Sequence, residues 1–151
     1  MLAVLLGLRA DRRRCAPLEW HFPLLLLAML SPAESHDAVI AATRHWLTEA
    51  VIGLNLCPFA KAVHVKGQIR YAVSDAVDME GVLADLETEI QALVAASPDA
   101  VDTTLLVIPG ALSDFLDYND CLFFAERMIK QLRLEGIIQI ASFHPDRKSV
   151  V

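Results

Sequence analysis

The run Thr103-Thr104-Leu105-Leu106-Val107-Ile108 shows no alternation of polar and apolar residues. Six β-branched or leucine residues in succession, closed by Pro109-Gly110, predict a strand covered on both faces. Such a strand needs a layer of helices on each side of its sheet. The flanking sequence supplies them. Gln68–Ser74 alternates, with Ile69, Tyr71 and Val73 on one side, and reads as a strand; Ile137–Phe143 reads as another. Met79, Val82, Leu83, Leu86, Ile90, Leu93 and Val94 recur at helical spacing to about Ala96, after Asp75 or Asp78 as a cap. Leu122, Ala125, Met128, Ile129 and Leu132 do the same over 120–134, with Asp117 or Asn119 as cap and Gly136 as the left-handed residue beyond. The fold predicted is α/β: a small, mostly parallel three-stranded sheet, a βαβαβ core with right-handed crossovers, and two additional N-terminal helices. Those two helices cover about 35–52, opened by Ser31-Pro32-Ala33-Glu34, and Pro58–Val65, closed near Gly67. Three strands make a small sheet, and a continuation past the C-terminal end would enlarge it.

With 151 residues the chain is one domain's worth. Its net charge is −6. Residues 1–33 hold four arginines and two acids, so the remainder is more acidic still, and a nucleic-acid footprint is not expected. The three cysteines, Cys15, Cys57 and Cys121, have no paired spacing; a reducing compartment suits them better than a disulfide framework or a zinc site. No apolar run is long enough to span a bilayer, so no membrane partner is expected for the body of the chain. Neither a glycine-rich phosphate loop nor GxGxxG occurs, which leaves any cofactor unknown.

Both ends read differently from the middle. Residues 1–30 combine apolar Leu2–Leu8, basic Arg9–Arg14 and apolar Phe22–Leu30. They are expected to be a non-native upstream extension, with Met29 as the true start; the alternative is a signal-like segment cut after Ser31-Pro32-Ala33, which would make the protein exported. Residues 147–151, with Asp146 before them, have the form of a translated sequencing adapter. The expected organisation is therefore one truncated α/β domain over 31–146.

In open parallel sheets, ligands collect beyond the carboxyl ends of the strands. Here those ends deliver Ser74-Asp75, Pro109-Gly110 and His144-Pro145, and the loop carrying Asp117, Asn119 and Asp120 leaves the same edge. Cys57 precedes Pro58, a favoured first helical residue, and so is expected to cap the short helix; there the helix dipole and Lys61 would favour its thiolate. Each residue also has a plainer role. Cys57 can be a small core residue. His144 can tie off a strand end, and the acids of 117–120 can be caps and turn formers.

The segments Trp46, Ala50-Val51-Ile52-Gly53-Leu54-Asn55-Leu56-Cys57-Pro58-Phe59-Ala60-Lys61, Ile69-Arg70-Tyr71, Thr103-Thr104-Leu105-Leu106, Asp114–Asp120, Leu134-Glu135-Gly136 and Gln139–Asp146 resemble, in order, the signature blocks of a bacterial family, "domain of unknown function 1415". The resemblance covers about residues 36–146. It implies a family without an assigned activity, and one whose members continue past the His144-Pro145-Asp146 block, which fits a C-terminally truncated chain.

The function expected from these residues is that of a cytosolic small-molecule enzyme. Cys57 would be nucleophile or redox thiol, His144 acid or base, and Asp117 the orienting group. One alternative is a metal-dependent hydrolase or metal-binding domain using His144, Asp146, Asp117 and Asp120. Another is a non-catalytic binding module with a structural Cys57. The first of these stands on the thiol and the imidazole sharing one cleft.

Overall fold

The computed structural model describes residues 2–8 and 32–144, of which 2–8 and 32–35 are described by their backbone alone. The elements run β1 (Leu2–Leu8), α1 (Pro32–Trp46), a π-helical continuation over Leu47–Ile52, α2 (Ala60–Val65), β2 (Ile69–Val73), α3 (Met79–Ala95), β3 (Thr103–Ile108), α4 (Phe115–Gln131) and β4 (Ile138–Phe143). The chain is α/β, as expected, and the three expected strands lie within a residue of their predicted ends.

The four strands form one sheet in the order β2-β3-β1-β4. β2 and β3 pair in parallel, while β1 pairs antiparallel with both β3 and β4. It follows that β2, β3 and β4 all point the same way, as a βαβαβ core requires. The sheet is nevertheless one strand wider than predicted, because Leu2–Leu8 lies between β3 and β4. Leu2–Leu8 holds a single β-branched residue, Val4, and no Pro-Gly closes it, so it lacks the features that mark Thr103–Ile108 as a strand. The register sets Leu5 opposite Leu105 on one side and Ala141 on the other.

Both crossovers step in the same direction across the sheet, so a constant hand places α3 and α4 on the same face. There Val82, Leu86, Ile90 and Leu93 of α3 meet Tyr118, Cys121, Ala125 and Ile129 of α4 over Leu106, Ile108 and Ile138. The other face carries a smaller cluster, Leu47, Val51 and Ala60 around Leu105, with Trp46, Cys57, Ile69 and Tyr71 packed against it. Leu105 and Leu106 point to opposite layers, and every residue of β3 is buried. The strand that predicted two layers lies between them.

Several boundaries differ from expectation, each for a local reason. α4 begins at Phe115, because the Asp114 carboxylate accepts from the N–H groups of Leu116 (2.7 Å) and Asp117 (3.4 Å); Asp117 and Asn119 are therefore inside the helix and cap nothing. It ends at Gln131, because Arg133 takes the left-handed conformation (φ 56°) and Leu134 N–H returns to the Ile129 carbonyl. Gly136 (φ 78°) instead turns the chain into β4. The predicted 35–52 helix changes winding at Leu47, where Gly53 and Leu56 donate five residues back, to Thr48 and Val51. Gly53 suits this turn, since a Cβ there would run into the Glu49 carbonyl oxygen. Asp78, one of the two proposed caps, caps α3 through Gly81 N–H at 2.8 Å.

Candidate functional site

Phe59, not Cys57, stands at the N-cap of α2, and it makes no side-chain capping bond. Cys57 lies two residues further out, its carbonyl accepting from Ala60 N–H at 3.3 Å. The helix beyond it has only six residues, so its dipole is short, and Cys57 does not occupy its capping position. The thiol is partly exposed and packs on the smaller cluster.

His144 lies on the opposite face. Ile138 and Ile140 of β4 belong to the α3/α4 core, and His144 continues their alternation, whereas Phe143 turns the other way to meet Trp46 edge-on at 5.6 Å. The imidazole is 8% exposed. It stacks on Tyr118 with centroids 5.0 Å apart and meets the edge of Phe115 at 5.5 Å. Its Nε2 lies 3.3 Å from the carbonyl oxygen of Leu112, a residue held at φ 55°. The structure therefore sets Cys57 and His144 on different sides of the sheet, and the cleft they were expected to share is not formed.

The remaining sequence candidates separate as well. Asp117, Asn119 and Asp120 are exposed on the first two turns of α4, and Asp146 lies outside the described residues. Asp75 follows β2, while His144 follows β4. Two strands stand between, a separation of about 14 Å at ordinary strand spacing. β1 supplies one of the two intervening strands and so adds one strand spacing to this separation. Among the described residues, no three His, Cys, Asp or Glu side chains are grouped as metal ligands.

What does converge is a cluster at the carboxyl end of β2. Asp75 Oδ1 lies 2.7 Å from Nε2 of His36, on the second turn of α1. One residue back, the buried hydroxyl of Ser74 donates to Asp85 of α3 at 2.5 Å and accepts from Ala76 N–H. Asp75, Asp85, Thr88 and Glu89 line a cavity of about 200 Å³ floored by Ala72 and Leu106. Glu89 itself is held by the fork of Arg70, with contacts of 2.7 and 3.0 Å. That carboxylate keeps the guanidinium pKa above its ordinary value, by hydrogen bonding first and by charge second. The rim Asp75 is water-exposed and its partner imidazole about one-third exposed, so a solute can reach the pair.

Of this cluster, the sequence places Ser74 and Asp75 at the strand end and offers Asp75 as the site candidate. His36 is 39 residues away in a separate helix, and one sequence carries no signal for that pairing. Tyr118, buried on α4, precedes the expected helix start at about 120, so the expected core face does not include it.

Elsewhere, burial pushes the Cys121 thiol up to about 11. Burial also raises the Tyr71 phenol, an effect opposed by Arg44, whose guanidinium carbon sits 4.7 Å over the ring. No helix among the described residues is long and apolar enough to cross a membrane.

No curated protein and no solved structure matches the chain. One family model does, over residues 38–148, under the description "Protein of unknown function (DUF1415)". That span takes in α1 from its second turn, the π-helical turn, the Cys57 segment, both crossovers and His144, and the protein belongs to the DUF1415 family.

Proposed function

We propose that this domain takes a small polar molecule into the cavity beside the carboxyl end of β2 and acts on it by proton transfer. His36 is the acid–base group and Asp75 orients its imidazole. The observation that carries the reading is the 2.7 Å contact between His36 Nε2 and Asp75 Oδ1, Asp75 being the residue that this contact shares with the lining of the cavity. A carboxylate fixing one ring nitrogen leaves the other to exchange a proton. Asp85 and Glu89, each already hydrogen-bonded, favour a ligand carrying donors or positive charge. His144 keeps the Leu112 turn in place rather than meeting the ligand.

The test is a small-molecule library read by thermal shift and then by turnover. A compound that stabilises the wild type should lose its effect on Asp75→Ala, and His36→Gln should bind it without converting it. Equal turnover by the wild type and His36→Gln refutes the reading.

A second reading is favoured by the backbone around Cys57. π-Helical winding and a left-handed Asn55 (φ 54°) lead directly to a partly exposed thiol, and irregular backbone of this kind gathers at working sites. Here Cys57 is a thiol nucleophile acting without His144, in a reducing cytoplasm that keeps it free. Cys57→Ser abolishing a turnover that His36→Gln leaves intact would select this reading over the first.

A further inference from the structure

The side chains that line the cavity beside β2 accept hydrogen bonds but have no donor to spare. The polar ones are Asp75, Asp85, Thr88 and Glu89. An ionised carboxylate only accepts. Thr88 has one hydroxyl proton, and it is committed to the Ala84 carbonyl at 3.0 Å, so only the lone pairs of its oxygen remain. A phosphate or a carboxylate would find no partner among these groups. A ligand made of donors would find several.

The three carboxylates are not equivalent. Glu89 is neutralised by the fork of Arg70, and Asp75 is held by His36. Asp85 has only a neutral partner, the Ser74 hydroxyl, which donates to its Oδ2. Among the described residues no cationic side chain pairs with Asp85. It is therefore the lining group whose charge is left for a ligand to meet. The wider field acts in the same sense, attracting cations and repelling anions, since residues 75–144 carry thirteen acids against three bases.

Size and floor narrow the class further. A space of about 200 Å³, at about 30 Å³ for each water-sized group, admits roughly six or seven non-hydrogen atoms. Ala72, Val73 and Leu106 make the rest of the lining aliphatic. A compact head with three donors and no acceptor, carried on a short saturated chain, meets both conditions.

We infer that the ligand of this cavity is a small aliphatic primary amine, bound as its ammonium ion with Asp85 as counter-charge and Ala72 and Leu106 beneath its carbon chain. The inference rests on the reading of the cavity as the ligand site and adds the chemical class.

The experiment is an NMR titration of the isotope-labelled full chain with butylammonium, at constant ionic strength. Butan-1-ol and butanoate serve as neutral and anionic probes of the same size. Butylammonium should shift the amide signals of residues 72–75 and 85–89 and saturate, while the other two bind at least about tenfold more weakly. Asp85→Asn keeps an acceptor for Ser74 and removes the charge, and should weaken butylammonium by about tenfold. Glu87→Gln removes the same charge from the same helix outside the cavity, and should leave the affinity within about twofold. The inference is overturned if butylammonium does not bind, if the three probes bind alike, or if the two substitutions have equal effects. The probe comparison uses the wild type alone and so stands even where a variant fails to fold. The two readings fail separately. A neutral or anionic compound turned over in a His36-dependent way, with no binding of butylammonium, removes the amine and keeps the acid–base site. Selective butylammonium binding, with turnover indifferent to His36→Gln, does the reverse.

Discussion

The two faces of the sheet are built by different means. The α3/α4 face is a continuous apolar layer made by two regular 17-residue helices at full crossover length. The opposite face is covered by a short cluster, a change of helical winding and a six-residue helix. One face gains its stability from packed volume, the other its shape from backbone detail. The difference tells where substitutions act: through side-chain volume on the first face, through main-chain geometry on the second.

The largest expected contrast is in core truncation. Leu93→Ala, at a fully buried position in the large cluster, should cost about 3–5 kcal/mol by urea unfolding. Leu47→Ala, equally buried but in a cluster that can collapse, should cost about 2–3 kcal/mol. Equal losses would erase the distinction.

Next comes alkali. The Cys121 thiol is raised from 9.0 to about 11 by burial, so the unfolded chain releases this proton before the folded one. Its contribution is complete below pH 9 and disappears as the pH rises toward 11, a loss of about 2 kcal/mol. Tyr71, also raised by burial, adds to the slope in the same direction. The measurement is therefore the difference between wild type and Cys121→Ala, and parallel pH profiles would show that the thiol is not the cause. Peptide mapping after brief alkylation extends the comparison, since Cys57 on the thin face should be modified well before Cys121.

Gly53→Ala probes the second face by backbone alone. The added methyl would meet the Glu49 carbonyl, and relieving that contact should cost on the order of 2 kcal/mol although the position is exposed. A neutral Gly53→Ala would mean that the π-helical turn converts to ordinary helix without penalty. The smallest effect belongs to Arg70→Gln. Half of that side chain is in water, so loss of its fork on Glu89 should cost about 1 kcal/mol.

The legibility of the sequence follows the same division. β3, α3 and the order of strands and helices could be read because burial imposes a period on regular elements. The bilateral cover of Thr103–Ile108 was evident from its composition. The start of α4 was misplaced because Asp114, Asp117 and Asn119 are all competent caps, and only the hydrogen bonds distinguish them. Cys57 was placed at a helix end because Pro58 suits the first helical position, yet the turn at Pro58-Phe59 comes first. His36 with Asp75, and the insertion of Leu2–Leu8 between β3 and β4, are long-range events with no local trace.

That insertion bears on assembly. β1 zips to β4 through residues such as Leu8 and Ile138, drawn from opposite extremes of the described chain. Pairing at this sequence separation carries a large loop-closure cost, so closure of the sheet is expected late in folding. Until then the backbone groups along one edge of β3 have no partner and Leu2–Leu8 is an unshielded oily strand. The late stage of folding is thus the stage at which this molecule is most prone to pair with the wrong neighbour.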